Sequence, residues 1–546
     1  MSVQTANGQV VSKAPLKKPG AIRNVLSNWG AYVLAMAVNF FVSPYVVRHL
    51  GDTGYGVWTI ILSLTGYLGL LDLGVRGAVT RYVAKFHAQT DHDKASNVAS
   101  SAMVIFSTAG LVAMLASAIF AAVVVDRMRI PVEYVGAARI VLLLTGLSIA
   151  ISLVNGVYGG ILVGLQRFDV TNSVEILINL LRAAAIVLTL RAGYGIVTLA
   201  MVQLGFTVLR WAANIWLACR FYPQLKIRLS RASRTGMKLI FSFSVFSFLL
   251  HVSGSLIYAT DNIVIGAFLP VSAVTFYVIA GNLTEYTRTL VSGISQTMTP
   301  LASSIEAQQD QKQLQRMVLF SSRTGSMVVL PVALTFMLRG SSFIGLWMGP
   351  QYAELSGKVL WVLSLALLFW AANSVTGGSM LGLSKHKPLV PAMLFEGFLN
   401  LCLSIFLVRG SLGILGVAWG TVIPNFISSL IFWPWYIRRT LQIDPLAYAV
   451  SAWLRPGIAI LPFAIASFAI EHFLPAKTLF VFFLQVGSCS HWQQGDIGAC
   501  VWTQSSAPIF RNALLALSVG HLFLDEILRI RWRFLHRELS AGTRQG

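Results

Sequence analysis

At 546 residues, with 56% hydrophobic and only 11% charged residues, the chain carries too little polar surface for a soluble globular protein of its size. Its net charge of +21 suggests nucleic-acid binding, but the basic residues are divided among many short polar gaps, which excludes one continuous binding patch. The four cysteines (Cys219, Cys402, Cys489, Cys500) lack metal-ligand spacing, so neither a metal nor another cofactor is expected. Only Cys489 and Cys500 fall where an oxidising compartment could pair them.

A helix crossing roughly 30 Å of hydrocarbon needs about 20 mostly apolar residues. Such segments are predicted at 25–47, 57–79, 98–121, 138–163, 172–191, 195–217, 239–260, 271–301, 317–338, 358–381, 389–408, 412–436 and 455–473. One more helix falls within 476–528. The fold class is therefore an all-α polytopic membrane protein with about 14 transmembrane helices. The first 24 residues are polar and basic without an apolar core, so no cleaved signal peptide is expected and the first helix directs insertion. With the N-terminus placed in the cytoplasm, 28 of the Lys and Arg residues fall on the inner side, ten on the outer side and three (Arg182, Arg210, Arg288) within the membrane. The excess predicts that both termini are cytoplasmic.

The longest cytoplasmic connector, 219–238, holds Arg220, Lys226, Arg228, Arg231, Arg234 and Lys238 and falls between helices six and seven. This divides the chain into a basic tail (1–24), a six-helix bundle (25–218), a basic linker (219–238), a second six-helix bundle (239–437), and additional helices with a basic tail (438–546). A weak internal repeat supports the division. Residues 24–97 and 238–316 both read as helix, short outer loop with a glycine (Gly51, Gly266), long second helix and polar run. An even number of helices per half relates the halves by an axis along the membrane normal, an arrangement that encloses a central cavity. Residues 485–509 depart from their surroundings, with Gln, His, Asp and two Trp and no apolar period. They read either as a divergent external loop or as a locally altered reading frame.

The residues offer little for catalysis, and an enzyme is not expected. Gly357-Lys358 has Tyr352 where a phosphate loop needs its first glycine, and neither a zinc-ligand spacing nor a nucleophile elbow appears. A membrane glycosyltransferase or glycan polymerase calls for a charged external loop. The longest outer loop expected, roughly 339–357, offers only Arg339, Glu354 and, at its end, Lys358.

Polar residues recur instead at helical spacing inside the membrane. The fifth helix carries Asn172, Glu175, Asn179 and Arg182; the seventh Ser244, Ser247, His251, Ser255 and Tyr258; the eighth Asn282, Glu285, Thr289, Ser292 and Gln296, with Arg288 at the edge. Ser, Thr and Asn in such stripes commonly join helices by hydrogen bonds. An ionised group at mid-membrane costs roughly 2.5–3.5 kcal/mol on insertion scales, so Arg182, Glu285, Arg288 and Glu396 call for partners or a water-filled cavity. Arg210 falls inside the membrane as well. Asp72 and Arg76, four apart near a helix end, fit a local salt bridge or a site, and His251 suits either a structural role or proton coupling. Gly160 with Gly164 and Gly416 with Gly420 read as close helix packing.

The stretch from Phe41 to Gly74, FVSPYVVRHLGDTGYGVWTIILSLTGYLGLLDLG, resembles the first outer loop and second helix of bacterial polysaccharide transporters of the O-antigen flippase type. These belong to the multidrug/oligosaccharidyl-lipid/polysaccharide exporter superfamily. SFIGLWMGPQYA, Ser342 to Ala353, resembles the outer loop after their ninth helix. The resemblance implies two six-helix bundles around an alternating-access cavity lined by the first, second, seventh and eighth helices. It also implies ion-coupled flipping of undecaprenyl-pyrophosphate-linked oligosaccharide across the bacterial inner membrane. Implied partners are the lipid-linked oligosaccharide, membrane lipids, a polysaccharide polymerase and a chain-length regulator, and no nucleic acid. Candidates for substrate binding or coupling are Arg288, Glu285, Arg182, Glu175, Arg210, Asp72, Arg76, His251 and Glu396. A multidrug and toxin extrusion antiporter and an integral-membrane glycan polymerase or glycosyltransferase are the alternatives.

Overall fold

The computed structural model describes residues 19–489 apart from His386, and no strand occurs among the described residues. Residues 1–18, Cys500, the greater part of the atypical 485–509 stretch, the rest of the fourteenth helix and the C-terminal tail lie outside them. The helices are α1 (Pro19–Leu68), α2 (Val75–Ala88), α3 (His92–Ile119), α4 (Val132–Gly164), α5 (Phe168–Arg191) and α6 (Ile196–Phe221). After the linker come α7 (Arg234–Tyr258), α8 (Thr260–Phe268), α9 (Ser272–Glu306), α10 (Gln311–Trp347), α11 (Pro350–Gly382), α12 (Leu389–Val408) and α13 (Ile414–Ile427). The series ends with α14 (Trp433–Leu441), α15 (Pro445–Ala449), α16 (Arg455–Ala459) and α17 (Leu461–Phe473). Eleven helical segments are long and apolar enough to cross a membrane. These are counted among the described residues; the first, 32–88, holds two arms on either side of Gly51, and α9, at 35 residues, is long enough to span but more polar than the eleven. A short apolar helix, Leu479–Cys489, begins the fourteenth.

Helices α1 to α6 pack mainly on one another, with α4 against α2, α3 and α6, and so do α7 to α13, with α11 against α9, α10 and α13. In lipid these contacts gain nothing from expelling water, so close approach and hydrogen bonds hold them. A Cβ at Gly160 would lie 3.2 Å from the Arg76 carbonyl oxygen, and one at Gly164 would lie 2.9 Å from that of Thr80, so α4 and α2 touch backbone to backbone. Gly416 and Gly420 give α13 the same approach to α12. On α9, the hydroxyls of Ser295, Thr299 and Ser303 donate to the carbonyls of Ser374, Gly378 and Gly382 on α11 at 2.8, 2.9 and 2.6 Å, one bond per helical turn.

Three expected outer loops are helical instead. Gly51 is a single left-handed residue (φ 68°) joining the two arms of α1, a conformation that favours glycine. Gly266 lies inside α8, packed against Ile60 with no room for a side chain. The loop expected at 339–357 shrinks to Met348 and Gly349 between α10 and α11. The charge of Arg339 suggests a loop because its partners are remote in sequence. It is fully buried in α10, donates from Nε to Glu471 at 2.7 Å and from Nη2 to Gln485 at 2.6 Å, and stacks over the Phe482 ring at 4.5 Å.

Removing one member of a buried ion pair costs about 3–5 kcal/mol, whereas replacing both by apolar groups is often neutral. Arg339→Ala should therefore lower the thermal unfolding temperature of the detergent-solubilised protein sharply, and Arg339→Met combined with Glu471→Leu should recover most of the loss. Equal melting of Arg339→Ala and the parent would show that the pair does not anchor α17.

Candidate functional site: two arginine-bearing polar cavities

Two polar cavities open inside the helical array. The first, about 530 Å³, lies among α2, α4, α5 and α6 and is lined by Arg76, Arg81, Glu175 and Arg210 together with Asn155 and Asn214. Asn214 donates to Asn155 at 2.9 Å, tying α6 to α4 at the cavity wall. Arg210 donates to Glu175 at 3.1 Å, which answers the charge that the fifth-helix stripe presents. Its Nε is buried without a hydrogen-bond partner, so its donor capacity is not exhausted. Arg76 and Asp72 form the expected i, i+4 pair at 3.5 Å, and Arg76 stays half-exposed into the cavity.

The second cavity, about 460 Å³, lies among α7, α8, α9, α11 and α13, with His251, Asp261, Glu285 and Arg288 on its walls. Arg288 is 12% exposed and Glu285 60%, and the two approach to 3.6 Å. Asp261 is 4% exposed and accepts hydrogen bonds from the Tyr277 hydroxyl at 2.5 Å and the Thr421 hydroxyl at 2.8 Å. Thr421 accepts in turn from Asn400 at 3.0 Å, so α8, α9, α12 and α13 meet at one carboxylate whose Oδ1 is buried without a partner. Arg288 lies close enough to act electrostatically on both Asp261 and Glu396.

Of the candidates read from sequence, Arg76, Glu175 and Arg210 share the first cavity, with Asp72 beside Arg76; His251, Glu285 and Arg288 share the second. Arg182 lines neither: it donates to Asn179 at 2.9 Å and to Gln203 of α6 at 3.1 Å. Glu396 sits on the wall of a third, apolar cavity of about 480 Å³, where Asn425 donates to it at 3.2 Å. The side chains of Ser244, Ser247 and Tyr258 lie outside the described residues. Sequence reasoning missed Asp261 because it ended the seventh helix at 260. The apolar run IVIGAF, Ile263 to Phe268, was the available sign that helix continues past the acid.

At the Gly51 end the two sets of helices close on each other. Thr275 of α9 donates to the Asp52 carbonyl oxygen at 2.7 Å, the Tyr352 hydroxyl of α11 bonds the Asp52 carboxylate, and the Trp347 indole of α10 donates to the Phe40 carbonyl oxygen at 2.9 Å. Nearer the second cavity Asn262 donates to Ser63 at 3.1 Å and Tyr67 to the Ser255 carbonyl oxygen at 3.1 Å.

Residues 21–306 match the family described as polysaccharide biosynthesis protein. The chain belongs to this family. Similar curated proteins include the "Putative O-antigen transporter" of Shigella flexneri, 23% identical over 77% of this chain and 99% of that protein. Another is the uncharacterized membrane protein EpsK of Bacillus subtilis, 21% identical over 79% of this chain and 87% of that one. Among solved structures, the lipid II flippase MurJ in an inward closed conformation aligns with a TM-score of 0.67 at 15% identity, over 87% of this chain and all of MurJ. An inward-facing multidrug resistance transporter described as belonging to the MATE family of the MOP superfamily aligns at 0.64 and 17% identity, over 77% of this chain and 99% of its own. The family member described here therefore has the fold that those two transporters share.

The two ion pairs should respond differently to neutralisation. Glu175→Gln leaves the partly buried Arg210 without its anion and is expected to cost about 1 kcal/mol, while Glu285→Gln, at a mostly exposed acid, should stay within about 0.5 kcal/mol. Thermal unfolding of the two variants in detergent measures the difference; equal effects would mean that Glu175 is not the internal partner of Arg210.

Proposed function

We propose that this family member is a flippase that moves undecaprenyl-pyrophosphate-linked oligosaccharide repeat units across the bacterial inner membrane, by alternating access coupled to an ion gradient. The observation that carries the proposal is the pair of polar, arginine-bearing cavities inside a fold closed at one end. Moving a single hydroxyl from water into hydrocarbon without a partner costs roughly 4–8 kcal/mol, so an oligosaccharide requires a polar route while its lipid tail stays in the bilayer. The transport of O-antigen named for the Shigella relative and of lipid II named for MurJ both support this reading.

The charge of the cavities supports a division of roles between them. Three arginines face one glutamate in the first, giving it the stronger attraction for pyrophosphate, which planar guanidinium groups bind through paired hydrogen bonds. Arg288 in the second is balanced by Asp261 and Glu285, so that cavity suits sugar hydroxyls and ion coupling, with Asp261 the most enclosed acid. A drug antiporter for cationic substrates would favour acidic cavities throughout. A polymerase would need a charged outer loop, and residues 339–347 and 350–357 are helical. The basic excess supports a cytoplasmic linker and cytoplasmic termini, and with them an outward-facing Gly51 end.

Cells lacking the protein should accumulate lipid-linked repeat units in the cytoplasmic leaflet while still making them; glycan extension by the purified protein would refute the transporter reading. Arg76→Ala combined with Arg81→Ala should reduce export tenfold or more (about 1.4 kcal/mol) at normal protein abundance, with the two Lys replacements retaining part of it. Asp261→Asn should leave substrate binding measurable and remove dependence of transport on the ion gradient. In a cysteine-free background, Ala192→Cys should react with an impermeant thiol reagent in intact cells and Ser230→Cys should not; the reverse pattern overturns the orientation.

A further inference from the structure

The linker between α6 and α7 is built as a rigid surface, not as a slack connection. Along α3 a polar ladder holds its backbone: Ser96 accepts from the Lys226 N–H at 3.1 Å, Ser100 from the Arg228 N–H at 3.1 Å and Ser101 from the Ser233 N–H at 3.1 Å. Asn97 donates to the Arg231 carbonyl oxygen at 2.7 Å, and the Tyr222 hydroxyl is bonded to His92 at 2.8 Å. In this extended stretch neighbouring side chains point to opposite sides. Leu225 and Ile227 pack into the cluster formed by α2, α3, α4 and α6, and Lys226 and Arg228 are therefore turned outward and exposed. The next residue, Leu229, heads a one-turn 3-10 helix and is 75% exposed, with Arg234 and Lys238 exposed just beyond it. Two nearby acids are already matched, Asp91 with Lys94 at 2.8 Å and Asp93 with Arg231 at 2.9 Å.

Retention of positive charge on one side of a membrane would be served equally by a loose loop. It requires neither a pinned backbone nor an exposed leucine among basic groups. A projecting apolar side chain on a pinned backbone, flanked in sequence by exposed cations, matches a membrane interface, where the leucine enters the headgroup boundary and the cations meet lipid phosphates. We infer that residues 226–238 form a docking surface for anionic phospholipid headgroups, with Leu229 as its inserted wedge. The site is separate from both cavities and does not depend on what the protein transports.

The test uses the full-length protein with its four cysteines replaced by Ser and a bimane fluorophore on Leu229→Cys, in nanodiscs of phosphatidylcholine alone or with about one-third phosphatidylglycerol. Quenching by a lipid nitroxide at headgroup depth should be about threefold stronger with phosphatidylglycerol, since each basic group near an anionic surface adds roughly fivefold in attraction. High salt should abolish the difference, because exposed charges are screened. Replacing Lys226, Arg228, Arg234 and Lys238 together by Gln should also abolish it, whereas Arg228→Lys with Arg234→Lys should preserve it. Equal quenching in the two membranes, or a difference that survives the four Gln replacements, overturns the inference. A probe unquenched in both membranes also overturns it and assigns the surface to a soluble acidic partner.

Discussion

The contact on which the arrangement depends is the closure at Gly51. There the left-handed glycine joins the arms of α1 and presents Asp52, which takes a hydrogen bond at its carbonyl from Thr275 and at its carboxylate from Tyr352. Trp347 closes the same seam against Phe40, with its ring stacked 4.8 Å from the phenyl centroid. The two stretches that carry the resemblance to polysaccharide transporters, 41–74 and 342–353, thus meet each other in space. Gly56 completes the seam: a side chain there would strike the Val271 carbonyl. Because three hydrogen bonds and a ring contact are modest terms, such a seam can both hold one state and be exchanged for another.

Charges buried in the membrane are distributed by the same economy of partners. Arg339 meets Glu471, Gln485 and the Phe482 ring, keeps a buried Nη1 without a hydrogen-bond partner, and joins α10 to the C-terminal helices. Arg182 is bonded to neutral amides. Arg210 and Arg288 line the two larger polar cavities, each beside an acid, where water or a polar ligand can reach it, and Arg339 lines a smaller one of about 260 Å³ beside Glu471.

Much of this organisation was legible residue by residue. The polar stripe of the fifth helix announced a polar neighbour, and α6 supplies Gln203 and Arg210. Gly160, Gly164, Gly416 and Gly420 mark close approaches because the absence of a side chain at helical spacing serves little else in lipid. Asp261 and Arg339 were misplaced for one reason: each is a charge near the end of an apolar run. A hydropathy pattern ends the helix at such a charge unless its partner is known.

By itself the sequence determined that the chain crosses the membrane many times as helix, because every backbone group in hydrocarbon must be paired within its own segment and some 20 apolar residues leave no other choice. It also determined which helices are polar on one face. Tertiary structure alone decided which of those faces meet. The pairing of Asp52 with Tyr352, of Arg339 with Glu471 and of Asp261 with Thr421 joins residues 300, 132 and 160 positions apart, and no local period encodes contacts at that range.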